Sequence, residues 1–189
     1  MIIDDDNKFV FVCVAKTAST SIRRRLGYEE DPPPEEYHMF LSDGLRKNPR
    51  ATSYFKFGFV RNPYDRLFSS YVNLKYDGHP WATALKQKSN FREFVMDFEN
   101  SEYSSYIHLR SQSEYLTLDG KLGVDFVGRF ENLVDDFRKI EKKIGYPHKE
   151  LSHVRSSSKG MEQKFYDNEM KKIVQKVYAE DFERFGYEK

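Results

Sequence analysis

Seven consecutive apolar residues, Phe9-Val10-Phe11-Val12-Cys13-Val14-Ala15, end abruptly at Lys16 and a cluster of hydroxyls, Thr17, Ser19, Thr20 and Ser21. An uninterrupted run rich in β-branched and aromatic side chains suits a strand covered on both faces, as in a parallel sheet. It predicts a strand over residues 8–15. From Ser19 the chain can turn helical, with Ile22 and Leu26 on one face and Gly27 placed to stop it. A strand, a tight turn and a helix N-terminus leave backbone N–H groups unpaired, and such a place attracts anions. Lys16 adds a full positive charge there, and each hydroxyl can donate to a phosphate-like oxygen. The same residues also suit a lysine on a turn followed by an ordinary Ser/Thr helix cap. What the turn lacks is equally informative. A Walker A loop needs glycines to wrap its phosphates and carries its lysine last; here the lysine comes first and no glycine is present.

Composition bounds the rest. A chain of 189 residues fits a single domain spanning 1–189, large enough for a three-layer core without metal or disulfide support. With 31 basic and 30 acidic side chains, the net charge of +1 gives no overall attraction to nucleic acid or to a membrane, so anion binding must be local. The one cysteine, Cys13, sits inside the apolar run and reads as core packing, which leaves no disulfide framework and no zinc site. The start, Met-Ile-Ile-Asp-Asp-Asp-Asn, is acidic where a secretory signal is basic, and the apolar run is far short of the ~20 residues that span a bilayer. These features lead us to expect a cytoplasmic protein with no metal, no nucleic-acid partner and no membrane partner.

Further along, Tyr28 to Glu36 carries five acidic residues and three prolines, a composition that argues for an extended turn rather than a helix and delivers His38. Histidine there reads as a surface residue or as a general base, because neutral imidazole can take a proton from a hydroxyl near pH 7. Phe55, Phe57 and Phe59 alternate as a strand over 54–60 requires. A helix follows, with Asn62 as cap, Pro63 at its first position, Asp65 at the positive end of its dipole and Leu67, Tyr71 and Leu74 as its apolar stripe. Arg61 therefore stands at a strand end, and Ser69 lies two turns into the helix. Phe91, Phe94, Val95 and Phe98 predict a short amphipathic helix. Residues 124–130 read as a third buried strand, leading to a helix lined by Leu133, Phe137, Ile140 and Ile144 and ended by Gly145 and Pro147. His153 to Gly160 is polar and basic, suited either to a loop closing over an anion or to a surface linker. A final helix packs through Met170, Ile173, Val174, Val177, Tyr178 and Phe185.

Lys-Thr-Ala-Ser-Thr-Ser at 16–21, directly after an apolar strand, resembles the 5′-phosphosulfate loop of sulfotransferases that use 3′-phosphoadenosine 5′-phosphosulfate (PAPS), above all the carbohydrate sulfotransferases. Arg61 and Ser69, with seven residues between them in a strand-to-helix setting, resemble the site by which these enzymes hold the 3′-phosphate. The segment His108 to Gln112 is similar to a His-x-x-x-Gln stretch on their acceptor side. Gly-Arg-Phe-Glu-Asn-Leu at 128–133 and the ending Asp181 to Tyr187 are similar as well. The resemblance implies a three-layer, P-loop-like α/β fold, with a central, mainly parallel sheet flanked by helices. It implies PAPS as donor, with no metal, and a hydroxyl acceptor, expected to be a sugar. On this reading Lys16 stabilises developing charge and His38 is the base, with His79 and His108 as rivals. Lys16, Thr17, Ala18, Ser19, Thr20 and Ser21 hold the phosphosulfate, Arg61 and Ser69 the 3′-phosphate, and Arg155, Ser156 and Ser157 cover the nucleotide. The alternatives are a nucleotide-binding protein without catalysis and a P-loop-type phosphotransferase.

Overall fold

The computed structural model describes residues 1–30, 32–76, 83–98, 102–147 and 162–189. The chain folds as two compact units, Met1–Arg61 with Gln112–Arg155 and Asn62–Ser111 with Ser156–Lys189. The first begins with β1 (Ile2–Asp4), β2 (Phe9–Val12), α1 (Ser19–Arg25), a single turn α2 (Pro34–Tyr37), α3 (Leu41–Lys47) and β3 (Phe55–Val60). The second then contributes α4 (Pro63–Tyr76), α5 (Thr83–Lys86) and α6 (Phe91–Met96). The chain returns to the first through α7 (Gln112–Leu116), β4 (Thr117–Leu118), β5 (Lys121–Leu122), β6 (Phe126–Arg129) and α8 (Leu133–Ile144), and ends in the second with α9 (Asn168–Val177) and α10 (Ala179–Phe185).

The sheet of the first unit has the order β1-β2-β3-β6, with β1 antiparallel and the other pairs parallel. Register places Phe11 beside Phe57 and Phe57 beside Phe126. Alternation then sends Phe9, Phe11, Phe57 and Phe59 to one face, where Ile22 and Leu26 of α1 and Leu133, Phe137 and Ile140 of α8 cover them. The Phe11 and Phe57 rings stack with centroids 5.0 Å apart, a contact worth roughly 0.5–1.5 kcal/mol beyond burial. Gly58 faces the other way. A Cβ there would stand 2.5 Å from Leu116 Cδ2, so the missing side chain lets α7 close on the opposite face. Helices on both faces of a mainly parallel sheet make the three-layer α/β arrangement that the sequence predicts.

The second unit is helical and its core is largely aromatic. Tyr64, Tyr71, Phe91, Phe94, Phe98, Tyr103, Tyr166 and Phe182 pack together with Leu67, Leu74 and Met170. The tyrosine hydroxyls that this burial would orphan find carbonyls, Tyr166 donating to Tyr64 at 2.8 Å and Tyr178 to Leu109 at 2.6 Å.

Three expectations need correction. The strand over 8–15 ends at Val12, because the Val14 N–H turns back to the Val12 carbonyl at 3.0 Å. The proline-rich stretch does hold one helical turn, since Pro34 occupies the first helical position, where no N–H is required. The predicted final helix is two, broken at Tyr178, whose φ of -108° and ψ of 29° leave the helical region. Two short antiparallel pairs, β1–β2 and β4–β5, escaped the reading altogether.

Candidate active site

Between β2 and α1 the chain makes a loop of alternating hand. Lys16 and Ala18 have φ of 65° and 68°, the left-handed region, with Thr17 between them. Each such non-glycine residue costs roughly 1–2 kcal/mol, so the loop must be held. Two of its own hydroxyls hold it: Thr17 Oγ1 and Ser19 Oγ donate to the Val14 carbonyl at 2.9 and 2.6 Å. Both side chains are buried, so their hydroxyl protons fasten the loop instead of pointing at a ligand. Thr20 is exposed, and Lys16 and Ser21 are half-buried. The alternation of φ sign turns successive N–H groups toward one side, the geometry of an anion-binding nest. No side chain caps α1 at Ala18, which leaves the N–H groups of its first turn to be met from outside the helix.

His38 follows α2 directly, and its Nδ1 lies 2.7 Å from the Cys13 carbonyl oxygen. A carbonyl can only accept, so Nδ1 carries the proton and the acceptor lone pair of the neutral ring is at Nε2. Three contacts moor this segment to α1. Tyr37, whose ring meets His38 edge-on at 4.5 Å, has its hydroxyl 2.7 Å from Thr20 Oγ1. The guanidinium of the buried Arg23 lies 5.0 Å from the Tyr37 ring centroid and donates to the Glu30 carbonyl at 2.5 Å. Histidine is thereby tied to the strand end that leads into Lys16.

At the end of β3, Arg61 is buried, with its Cζ 4.4 Å from the centroid of Phe130. Gln112 pairs with both of its backbone groups, accepting from the N–H and donating to the carbonyl at 2.8 Å each. In the second unit, Asn62 Oδ1 accepts from the Tyr64 N–H at 3.0 Å and so caps α4. Arg66, fully buried, donates to the carbonyls of His108 and Arg110, with its Cζ 5.4 Å from the Tyr178 ring centroid. Ser70 also donates to the His108 carbonyl, at 3.0 Å. Ser69 is half-buried on α4.

Residues 1–188 match the profile described as Sulfotransferase family. The chain belongs to the sulfotransferase family. Carbohydrate sulfotransferase 11 of Rattus norvegicus and of Mus musculus are each 25% identical to it over 236 aligned positions, covering 99% of this chain and 66% of the relative. An uncharacterized protein of Archaeoglobus fulgidus is 28% identical over 90 residues, 43% of this chain and 74% of the relative. No solved structure matches the chain.

In this member of the family, the residues that the sequence assigns to the phosphosulfate loop and to the base come together around the end of β2, and Arg61 stands at the end of the neighbouring β3. Arg155, Ser156, Ser157 and the rival base His79 lie outside the described residues. Among the described residues no group of three or more His, Cys, Asp or Glu could hold a metal ion, and no helix is long and apolar enough to cross a membrane. The cytoplasmic expectation is withdrawn. The relatives aligned to the whole chain are carbohydrate sulfotransferases of which it spans 66%, so the acidic start and the short apolar run of this segment assign no compartment. Sequence reasoning missed Gln112 as a backbone clamp, Arg66 as a buried tie and Arg23 as a mooring. No periodicity announces these, because each acts on a carbonyl or ring distant in sequence.

Proposed function

We propose that this protein transfers a sulfuryl group from PAPS to a hydroxyl of a carbohydrate acceptor. One observation carries the reading: His38 is bonded through Nδ1 to the carbonyl of Cys13, in the same loop as Lys16, which fixes the tautomer of the proposed base. The family match and the names of the rat and mouse relatives favour sulfuryl donor and sugar acceptor. In the proposed step the acceptor oxygen attacks sulfur in line and the bond from sulfur to the 5′-phosphate oxygen breaks. The acceptor proton passes to His38 Nε2, and adenosine 3′,5′-bisphosphate leaves. Lys16 stabilises the charge that builds on the bridging and sulfuryl oxygens, an effect that counts because it is in place before the reaction. The nest of N–H groups from Lys16 to Ser19, with Thr20 and Ser21, receives the phosphosulfate. Arg61 and Ser69 take the 3′-phosphate and Arg155, Ser156 and Ser157 cover the nucleotide. A guanidinium suits the 3′-phosphate because its planar fork donates two parallel hydrogen bonds.

The test is transfer of label from [35S]-PAPS to a panel of sugars and simple alcohols, with calorimetric titration of PAPS, adenosine 3′,5′-bisphosphate and ATP alongside. Transfer to a sugar, with both 3′-phosphorylated nucleotides bound more tightly than ATP, is the expected result. Preferred binding of ATP would mark a phosphotransferase. Tight binding of both 3′-phosphorylated nucleotides without transfer to any acceptor would mark a binding protein without catalysis.

A further inference from the structure

We infer that Gln112 and Phe130 are positioning residues that aim the Arg61 guanidinium and thereby set the preference for a nucleotide bearing a 3′-phosphate; this rests on the reading of Arg61 as the residue that holds that phosphate. At Arg61 the strand ladder has run out, since β3 ends at Val60, yet the residue is buried and its N–H and carbonyl both need partners. A carboxamide is among the few side chains able to supply an acceptor and a donor together. Gln112 does so, with both bonds at 2.8 Å and its own side chain fully buried, so water does not compete. Pinned at two points, the backbone fixes the direction in which the arginine side chain departs.

The second support arrives from the neighbouring strand. Val60 pairs in register with Arg129, and the turn that follows β6 carries Phe130, whose ring centroid lies 4.4 Å from Arg61 Cζ. A ring at that distance makes a cation–π contact that limits how the guanidinium can turn, while its five N–H groups lie in one plane, the direction from which phosphate oxygens are gripped. Such a grip tolerates misalignment of only about 10–20°. Gln112 closes the His-x-x-x-Gln segment and Phe130 lies in the Gly-Arg-Phe-Glu-Asn-Leu string, two motifs that sequence alone assigns to the acceptor side and to loop tying.

The experiment titrates adenosine 3′,5′-bisphosphate and AMP into the full chain by calorimetry and reads the ratio of their affinities. Phe130 is half-buried, so Phe130→Leu is the variant least exposed to misfolding. It should lower the ratio about tenfold, within the range of a partly buried cation–π contact, with AMP affinity unchanged within about twofold. Phe130→Tyr, which restores the ring face, should restore the ratio. Gln112→Leu should lower it by at least as much, with thermal denaturation recorded alongside. Equal losses for both ligands, or an unchanged ratio in Phe130→Leu, would overturn the inference. Arg61→Ala separates the two levels of the argument: a ratio it leaves intact removes the 3′-phosphate reading itself, and the positioning role with it, whereas a ratio lost in Arg61→Ala but kept in Phe130→Leu and Gln112→Leu removes the positioning role alone.

Discussion

Two parallel strands of this protein end side by side, and they hand over to their helices in opposite ways. Six residues separate β2 from α1, and two, Arg61 and Asn62, separate β3 from α4. The first corner is strained, with Lys16 and Ala18 left-handed and no side-chain cap from Ala18 to the helix. The second satisfies itself. Gln112 supplies both partners of the Arg61 backbone, Asn62 caps the helix, and Pro63 takes the position where an N–H would be idle. The difference teaches where each corner can act. At the first, Thr17 and Ser19 spend their hydroxyls in closing the loop, and on the proposed reading its backbone N–H groups and Lys16 meet a group whose charge redistributes during reaction. At the second, the backbone of Arg61 is paired, and on the proposed reading its guanidinium meets a group whose charge stays constant.

The comparison predicts that damage at the first corner appears in turnover and damage at the second in binding or stability. The largest effect should come from His38, which is moored to the first. His38→Ala should lower sulfuryl transfer by ~100- to 10,000-fold, the usual contribution of a positioned base, while nucleotide affinity and the circular-dichroism melting curve stay near those of the parent. His38→Asn can still donate to the Cys13 carbonyl but takes up no proton, and should be nearly as impaired. Near-normal turnover in both variants would remove His38 from the chemistry and point to His108 or His79. Next in size is Lys16→Ala, expected to cost ~100- to 1,000-fold in kcat. Donor affinity should fall by less than turnover, because the charge it answers is larger in the transition state. If titration showed affinity carrying the whole loss, the two corners would differ in shape without differing in role.

How much of this contrast is legible in the sequence follows from the physics of each corner. The second is written locally: Asn-Pro before Leu67, Tyr71 and Leu74 announces a capped helix, and all three side chains are buried as that pattern requires. The same holds for α8, whose stripe Leu133, Phe137, Ile140 and Ile144 is buried and whose Gly145 is left-handed at φ 74°. The first corner is written in bonds that composition does not display. Cys13, Val14 and Ala15 continue the apolar run and are fully buried, so burial alone reads as strand, yet a backbone turn and two hydroxyls converging on Val14 end the ladder early. Other misses had signals. Asp119-Gly120, both at positive φ, is a hairpin turn between β4 and β5, and Asp4 accepting from the Asn7 N–H at 2.7 Å is the turn that lets β1 fold back on β2. Gln112 had none, because a side chain that completes another strand's backbone is recognised only once the two are seen together.

A smaller effect should follow at the second corner. Asn62→Ala removes the acceptor for the Tyr64 N–H and should cost about 1 kcal/mol of stability, read as a lower denaturant midpoint with unchanged slope. Turnover at saturating donor should hold within about twofold, since no transition-state contact is lost. A large fall in kcat would mean that this cap is tied to the chemistry as closely as the strained loop is.

The smallest expected effect carries the sharpest sign. Replacing alanine by glycine ordinarily destabilises a folded chain by roughly 0.5–1 kcal/mol, because glycine has more freedom to lose. At Ala18 the balance differs: φ is 68°, and the Cβ there costs roughly 1–2 kcal/mol that glycine would not bear. Ala18 also packs in part against the core of the first unit, so the loss of its methyl offsets some of that relief. Ala18→Gly should therefore match the parent or exceed it by up to about 1 kcal/mol in denaturant unfolding. Catalysis should move the other way. A glycine can leave the left-handed region without penalty, so the N–H groups and Lys16 spend less time in the geometry proposed to receive the phosphosulfate, and turnover should fall a few-fold while stability holds. Destabilisation of ordinary size would show that the strain at Ala18 is not a feature of the folded state in solution. Stability gained with turnover intact would show that the strain exists but that the chemistry does not depend on it.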